Sequence, residues 1–153
     1  TRDGQWHHAA GVRREGKCYV YLDGQQLGAE ANDTAGAFDL QGDDWWIGRD
    51  TRTGATEFNG DLDEVRLWAR GLSSNEVARL ASGEVPGDEV AAEGVLAAYA
   101  FDRPVQADDT AGHADGPFHA SRVEPGYRVA LAPALRQVTQ GDFTVEAFDR
   151  LRS

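Results

Sequence analysis

The sequence predicts an all-β fold, an antiparallel sandwich with one short helix closing an end of it. Three observations carry that expectation. Apolar and polar residues alternate in short runs, the period of half-buried strands. Turn residues separate the runs, and 18 glycines supply backbone freedom for tight turns. One stretch alone combines a helix cap with helical spacing.

In the first run, Trp6, His8, Ala10 and Val12 share one strand face, while His7, Ala9 and Arg13 share the other. Trp6 is expected in the core. Cys18-Tyr19-Val20-Tyr21-Leu22 is rich in strand formers and leads into Asp23-Gly24. That pair favours a type I′ hairpin, whose two central positions both take positive φ, so Gln26-Leu27 should return as the partner strand. Residues 45–48 form a further short strand and residues 62–68 a longer one. Ser73-Ser74-Asn75-Glu76 is a capping box, with Ser73 as N-cap and Glu76 at N3. Val77 and Leu80 follow at helical spacing and Ser82-Gly83 ends it, so a capping helix is expected near 73–82. Trp68, alternating with Arg66, should pack beneath that helix. Residues 84–93 hold Pro86-Gly87 and four acids, and are expected to be a linker. Residues 95–101, 127–131 and 143–148 are further strands, with a loop at 108–112.

Hydrophobic residues at 41% and charged ones at 27% place the chain among globular proteins. Fifteen basic against 26 acidic residues give a formal charge of −11. Such a field repels polyanions, so nucleic acid and an anionic membrane are not expected as partners. A cationic partner or calcium is compatible with it, as is a merely solvated acidic surface. Cys18 is the single cysteine, so there is no internal disulfide, which leaves export open. No apolar run is long enough to span a membrane. The opening Thr1-Arg2-Asp3 offers neither an initiating Met nor a signal peptide, so a segment of a longer chain is expected, with any targeting signal outside it.

Asp3-Gly4-Gln5-Trp6-His7-His8-Ala9-Ala10, then Tyr19-Val20-Tyr21-Leu22-Asp23-Gly24, then Ile47-Gly48-Arg49-Asp50, resembles the later strands of laminin-G-like jelly-roll domains. Phe58-Asn59-Gly60-Asp61-Leu62-Asp63-Glu64-Val65-Arg66-Leu67-Trp68, followed by Leu72-Ser73-Ser74-Asn75-Glu76-Val77, is similar to that family's closing strand and helix, a pattern shared with pentraxins. The second half resembles the family's beginning. Leu96-Ala97-Ala98-Tyr99-Ala100-Phe101-Asp102 and the Asp109-Thr110-Ala111-Gly112 loop look like its opening. Phe143-Thr144-Val145-Glu146-Ala147-Phe148 looks like the strand usually written F-T-V-E-A-W, with Phe148 replacing the common Trp.

The resemblance therefore implies a concanavalin A-like, antiparallel jelly-roll β-sandwich, partial and in inverted order. Residues 1–83 would be the later half of one jelly roll and 84–93 an acidic linker. Residues 94–153 would be the first part of a following, or circularly permuted, jelly roll. Either way the family's middle strands are missing, which leaves sheet edges open unless another segment covers them.

The function it implies is a non-catalytic binding or adhesion module of a larger extracellular or cell-surface protein. The ligand would be a glycan or a protein, and neighbouring modules of the same chain would be partners. A structural spacer repeat and an accessory module of a secreted hydrolase are the alternatives. Glucanases on sandwiches of this broad type carry acids at alternating positions of one strand. Here Asp61 and Asp63 share a face, but Val65 takes its third place and Glu64 points the other way. The strand thus lacks the two carboxylates, about 5 Å apart, of a retaining glycosidase. No zinc or triad spacing is present, since His7 and His8 are adjacent and face opposite ways. One imidazole is expected in the core with a hydrogen-bond partner and the other toward solvent.

Laminin-G-like and pentraxin domains often bind calcium in rim loops, where the ion takes six to eight oxygens. The resemblance nominates Asp50, with Asp102 and Asp109 joining if the two halves pack as one domain. Acids that bind nothing are the plainer alternative. For sugar binding, Trp45 shares a face with Ile47 and belongs to the core, so the adjacent Trp46 points outward and is the candidate ligand platform. Cover by a loop or neighbouring module is the alternative role for Trp46.

Overall fold

A computed structural model describes residues 3–34, 45–50, 56–84, 94–99, 120–122, 127–129 and 141–151. The elements are β1 (His7–Arg14), β2 (Lys17–Leu22), β3 (Gln25–Gln26), β4 (Ala31–Asn32), β5 (Trp45–Ile47), β6 (Arg49–Asp50), β7 (Thr56–Glu57) and β8 (Gly60–Trp68), then α1 (Ser74–Ala81), β9 (Val95–Tyr99), β10 (Ala120–Arg122), β11 (Tyr127–Val129) and β12 (Phe143–Leu151). All pairings among the described residues are antiparallel. The architecture is the expected one, a partial concanavalin A-like β-sandwich with one short helix.

The large sheet runs β3-β2-β1-β12-β8-β9, with β4 also on β2. β10-β11-β5 and β6-β7 form two smaller sheets. Strands from both halves of the sequence therefore share one sheet, and β12 lies between β1 and β8. The gap that the inverted order would leave beside β1 and β8 is filled from within the chain.

One face of this sheet is the core. Ala10 stands opposite Tyr21 on β2 and Glu146 on β12; Val12 stands opposite Tyr19 and Thr144. Trp68 pairs with Thr144, completing the row on β8. Ala10, Val12, Tyr21 and Trp68 cluster with Leu72, Val77 and Leu80, the last two from α1. The large aromatic and aliphatic side chains among these each contribute roughly 1.5–3 kcal/mol by leaving water.

The helix forms as its cap predicts. Ser73 Oγ accepts from the Glu76 amide at 3.3 Å, and the Ser73 amide donates to Glu76 Oε2 at 2.7 Å. Val77 and Leu80 face the sheet, with Trp68 beneath them and fully buried. The Tyr21 hydroxyl meets Ser74 Oγ at 3.0 Å, tying β2 to the start of the helix. The Asp23-Gly24 turn also forms, with φ of 50° and 76°. Gly24 is pressed against α1, where a Cβ would come within 2.9 Å of Ala78 Cα.

Two expectations are corrected. Trp6 is 43% exposed rather than part of the core. It keeps the face of His8, but it precedes β1 and lies beyond the end of the packed interior. The place after Asp61 and Asp63 on their face belongs to Arg66, not Val65. Asp63 pairs with Phe148 and Arg66 with Glu146, so Glu64 and Val65 together oppose the single Ala147. This bulge holds Glu64 at φ 50°, and Asp63 Oδ1 accepts the Glu64 amide at 2.9 Å.

Several boundaries also moved. β8 begins at Gly60 and β12 continues to Leu151, each further than its periodicity suggested. β4, β6, β7 and β10 were not foreseen; two or three residues carry no readable period. Residues 85–93 of the expected linker and the loop at 108–112 lie outside the described residues. Among the described residues no helix is long and apolar enough to cross a membrane.

Candidate functional site

Three polar groupings lie on or beside the large sheet. The first is internal. Glu146 on β12, 1% exposed, takes His8 Nε2 at 2.9 Å from β1 and Arg66 Nη1 at 3.0 Å from β8. Glu64, brought round by the bulge, pairs with the other arm of the same guanidinium. A carboxylate this deep needs such partners, because desolvating an unpaired charge is costly. Phe148 meets the His8 ring edge-on, centroids 5.1 Å apart. His8 is thus the buried histidine with a partner.

The second grouping holds the other histidine. His7 Nδ1 lies 2.8 Å from Asp23 Oδ2, and its Nε2 lies 3.1 Å from Asp3 Oδ1. Solvent alone is the expectation for this histidine; instead His7 clamps the segment before β1 to the hairpin turn. The Asp23 hydrogen bond first, then that of Asp3, raises the His7 pKa above its ordinary 6.5. The Asp23 carboxyl is lowered, chiefly by His7. The Asp3 carboxyl is lowered by the Gln5 amide and by His7.

The third grouping is exposed. Arg150, near the end of β12, stacks its guanidinium 4.9 Å from the centre of the Trp6 ring. Its Nε and Nη2 donate to Asp61 Oδ2 at 3.2 and 2.8 Å. Phe58, also exposed, packs against Gly60 at the start of β8, where a Cβ would meet Phe58 Cε1 at 2.6 Å and the Arg150 carbonyl at 2.5 Å. Sequence reading missed this grouping. Its signal was the alternation that set Trp6 on the His8 face, but its partners appear only once β12 is known to pair with both β1 and β8.

Of the expected site residues, Trp46 lies on β5 opposite Arg128 and Asp50 on β6 opposite Thr56. Their strands belong to different small sheets. Asp102 and Asp109 lie outside the described residues. Among the described residues, no three or more His, Cys, Asp or Glu side chains gather to hold a metal ion.

The laminin-G family model of the concanavalin A-like lectin/glucanases superfamily matches residues 1–78. No curated protein and no solved structure matches the chain. The matched span runs from the clamp before β1 into α1, over more than half of the 153 residues. The protein therefore belongs to the concanavalin A-like lectin/glucanases superfamily, as a laminin-G-like member of a family of carbohydrate- or protein-binding modules.

Proposed function

We propose that this chain is a non-catalytic recognition module of an extracellular or cell-surface protein, taking a glycan or protein ligand. The observation that carries the reading is what its sheet acids do. Glu146 and Glu64 are held by Arg66, Glu146 also by His8, and Asp63 by the Glu64 amide. A glycosidase needs one carboxyl kept protonated to give its proton to the leaving oxygen. Carboxylates bonded into the sheet by an arginine, a histidine and a backbone amide are instead engaged within the scaffold. They brace a scaffold, and recognition falls to its rim.

Trp46 is the proposed platform for a sugar ring, and Asp50, Asp102 and Asp109 are the proposed calcium ligands. Superfamily membership supports the first, and the −11 charge is compatible with the second. Residues 1–83 and 94–153 are read as the later and earlier strands of a jelly roll in permuted order. The position of β12 between β1 and β8 supports that reading.

The test is retention on immobilised glycans and extracellular-matrix proteins, with and without calcium. Retention should be lost in Trp46→Ala without a change in melting temperature. Calcium at a hundred times its Kd should stabilise the fold by about 2.7 kcal/mol, an effect that Asp50→Asn should reduce. Sugar release abolished by Asp63→Asn would overturn the non-catalytic reading. A chain that retains no glycan or protein and is not stabilised by calcium would be a spacer instead.

A further inference from the structure

We infer that Trp6, Arg150 and Asp61 form a subsite for a neutral saccharide at one end of the large sheet. The inference rests on the glycan-binding reading above but uses different residues from Trp46.

Three separate stretches of sequence meet there. His7 pairs with Asp149, so the preceding Trp6 comes opposite Arg150, and Arg150 in turn pairs with Asp61 on β8. The row is an indole, a guanidinium and a carboxylate side by side. Trp6 stays 43% exposed although Arg150 stacks on it. The indole thus offers open aromatic surface directly beside an ion pair.

The indole is exposed but held. Arg150 is fixed from β8 by two donors to one Asp61 oxygen, and it stacks on Trp6 from β12. The residue after Trp6, His7, is clamped between Asp3 and Asp23. Ordering that a ligand would otherwise impose on these side chains has already been done by the fold.

The chemistry of the row selects the ligand class. A pyranose ring has a face of C–H groups and an edge of hydroxyls that both donate and accept. Indole surface suits the face. The Arg–Asp pair suits the edge, because guanidinium only donates and carboxylate only accepts, so neighbouring hydroxyls satisfy both. Charge decides which saccharide. Asp61 pairs with Arg150, and the chain as a whole carries −11, a field that repels a sulfate, phosphate or uronate. A neutral sugar incurs no such repulsion. A protein partner fits less well, since stable protein interfaces cover about 800 Å² per partner and this row is one indole beside an ion pair.

The experiment is a two-dimensional NMR titration of the full chain. The probes are soluble oligosaccharides of β-glucan, xylan and mannan, with a heparin oligosaccharide as the anionic control. The Trp6 indole N–H peak is assigned by its loss in Trp6→Phe. At least one neutral probe should bind saturably and shift that peak. Trp6→Ala should weaken its binding by about tenfold or more, and Trp6→Phe by less. Asp61→Asn should weaken the neutral probe and strengthen heparin binding, because Arg150 is then uncompensated. If Trp6→Ala fails to fold, Trp6→Phe and Asp61→Asn decide the matter. Neutral binding that survives Trp6→Ala but is lost in Trp46→Ala would overturn the subsite while sparing the module's function. Wild-type protein that binds no neutral probe, or prefers heparin, would overturn the subsite as well.

Discussion

His8 Nε2 lies 2.9 Å from the Glu146 carboxylate, joining residues 138 positions apart in the interior of the large sheet. Arg66 reaches the other oxygen of the same carboxylate, so one acid binds β12 to both of its neighbours. The net worth of a buried pair is small, because both ions lose their hydration; the cost of breaking it is not.

Glu146→Ala should therefore destabilise the fold by about 3–5 kcal/mol, leaving Arg66 buried without its partner. Glu146→Gln, which keeps an acceptor, should cost less. The combined change of His8→Leu, Glu146→Leu and Arg66→Met should recover much of the loss. Urea unfolding of the three variants checks this, and a loss under about 1 kcal/mol in Glu146→Ala would show that the network adds nothing.

The Asp23-Gly24 turn offers a cleaner steric test. Gly24→Ala must accept both a positive φ and a methyl 2.9 Å from the Ala78 backbone. Gly16 has a similar φ of 71° with nothing within 4 Å, so Gly16→Ala meets the backbone cost alone, about 1 kcal/mol. Gly24→Ala should exceed it by about 1–3 kcal/mol, the cost of forcing α1 away from the hairpin. Equal melting temperatures for the two variants would contradict that contact.

The helix cap is expected to behave independently of the turn. Ser73→Ala removes the acceptor for the Glu76 amide and should cost about 1 kcal/mol, while Ser73→Asp should cost less. Chemical denaturation resolves a difference of that size.

The His7 clamp makes stability depend on pH in a defined direction. Because the folded His7 pKa is raised, its contribution is fully present below the ordinary 6.5 and is lost as pH rises through the raised value. Asp3 and Asp23 are lowered, so theirs is present above the ordinary 3.8 and is lost as pH falls through the lowered values. The clamp is thus complete between about pH 4 and pH 6.5 and weakens on either side. In His7→Gln the decline of stability above pH 6.5 should flatten. NMR titration of His7 in the native protein should give a midpoint above 6.5, and a midpoint at or below it would contradict the two hydrogen bonds.

Much of this fold is legible in the sequence where the signal is local. The capping box at Ser73 and the Asp23-Gly24 turn each specify their own geometry, and both form as expected. The Glu15-Gly16 turn was missed because Glu rarely adopts the positive φ, here 52°, that the hairpin gives it. What alternation cannot supply is pairing. It set Trp6 on the correct face but not beyond the edge of the core, and it could not see the bulge that exchanges Val65 for Arg66. The exposed row at Arg150 was hidden for the same reason, since its members sit on three elements whose adjacency is a property of the sheet. Nothing within one strand announces its neighbour.

The place of β12 also sets a timetable. A ribosome delivers β1, β2 and β8 well before the strand that must separate β1 from β8. Until Phe143–Leu151 emerges, β1 and β8 lack the strand that pairs with both, and His8 and Arg66 lack the Glu146 carboxylate. Assembly that depends on such distant pairings is slow, and open edges in the interval invite the wrong strand. For this module, a strand made well after its neighbours is the one that joins them.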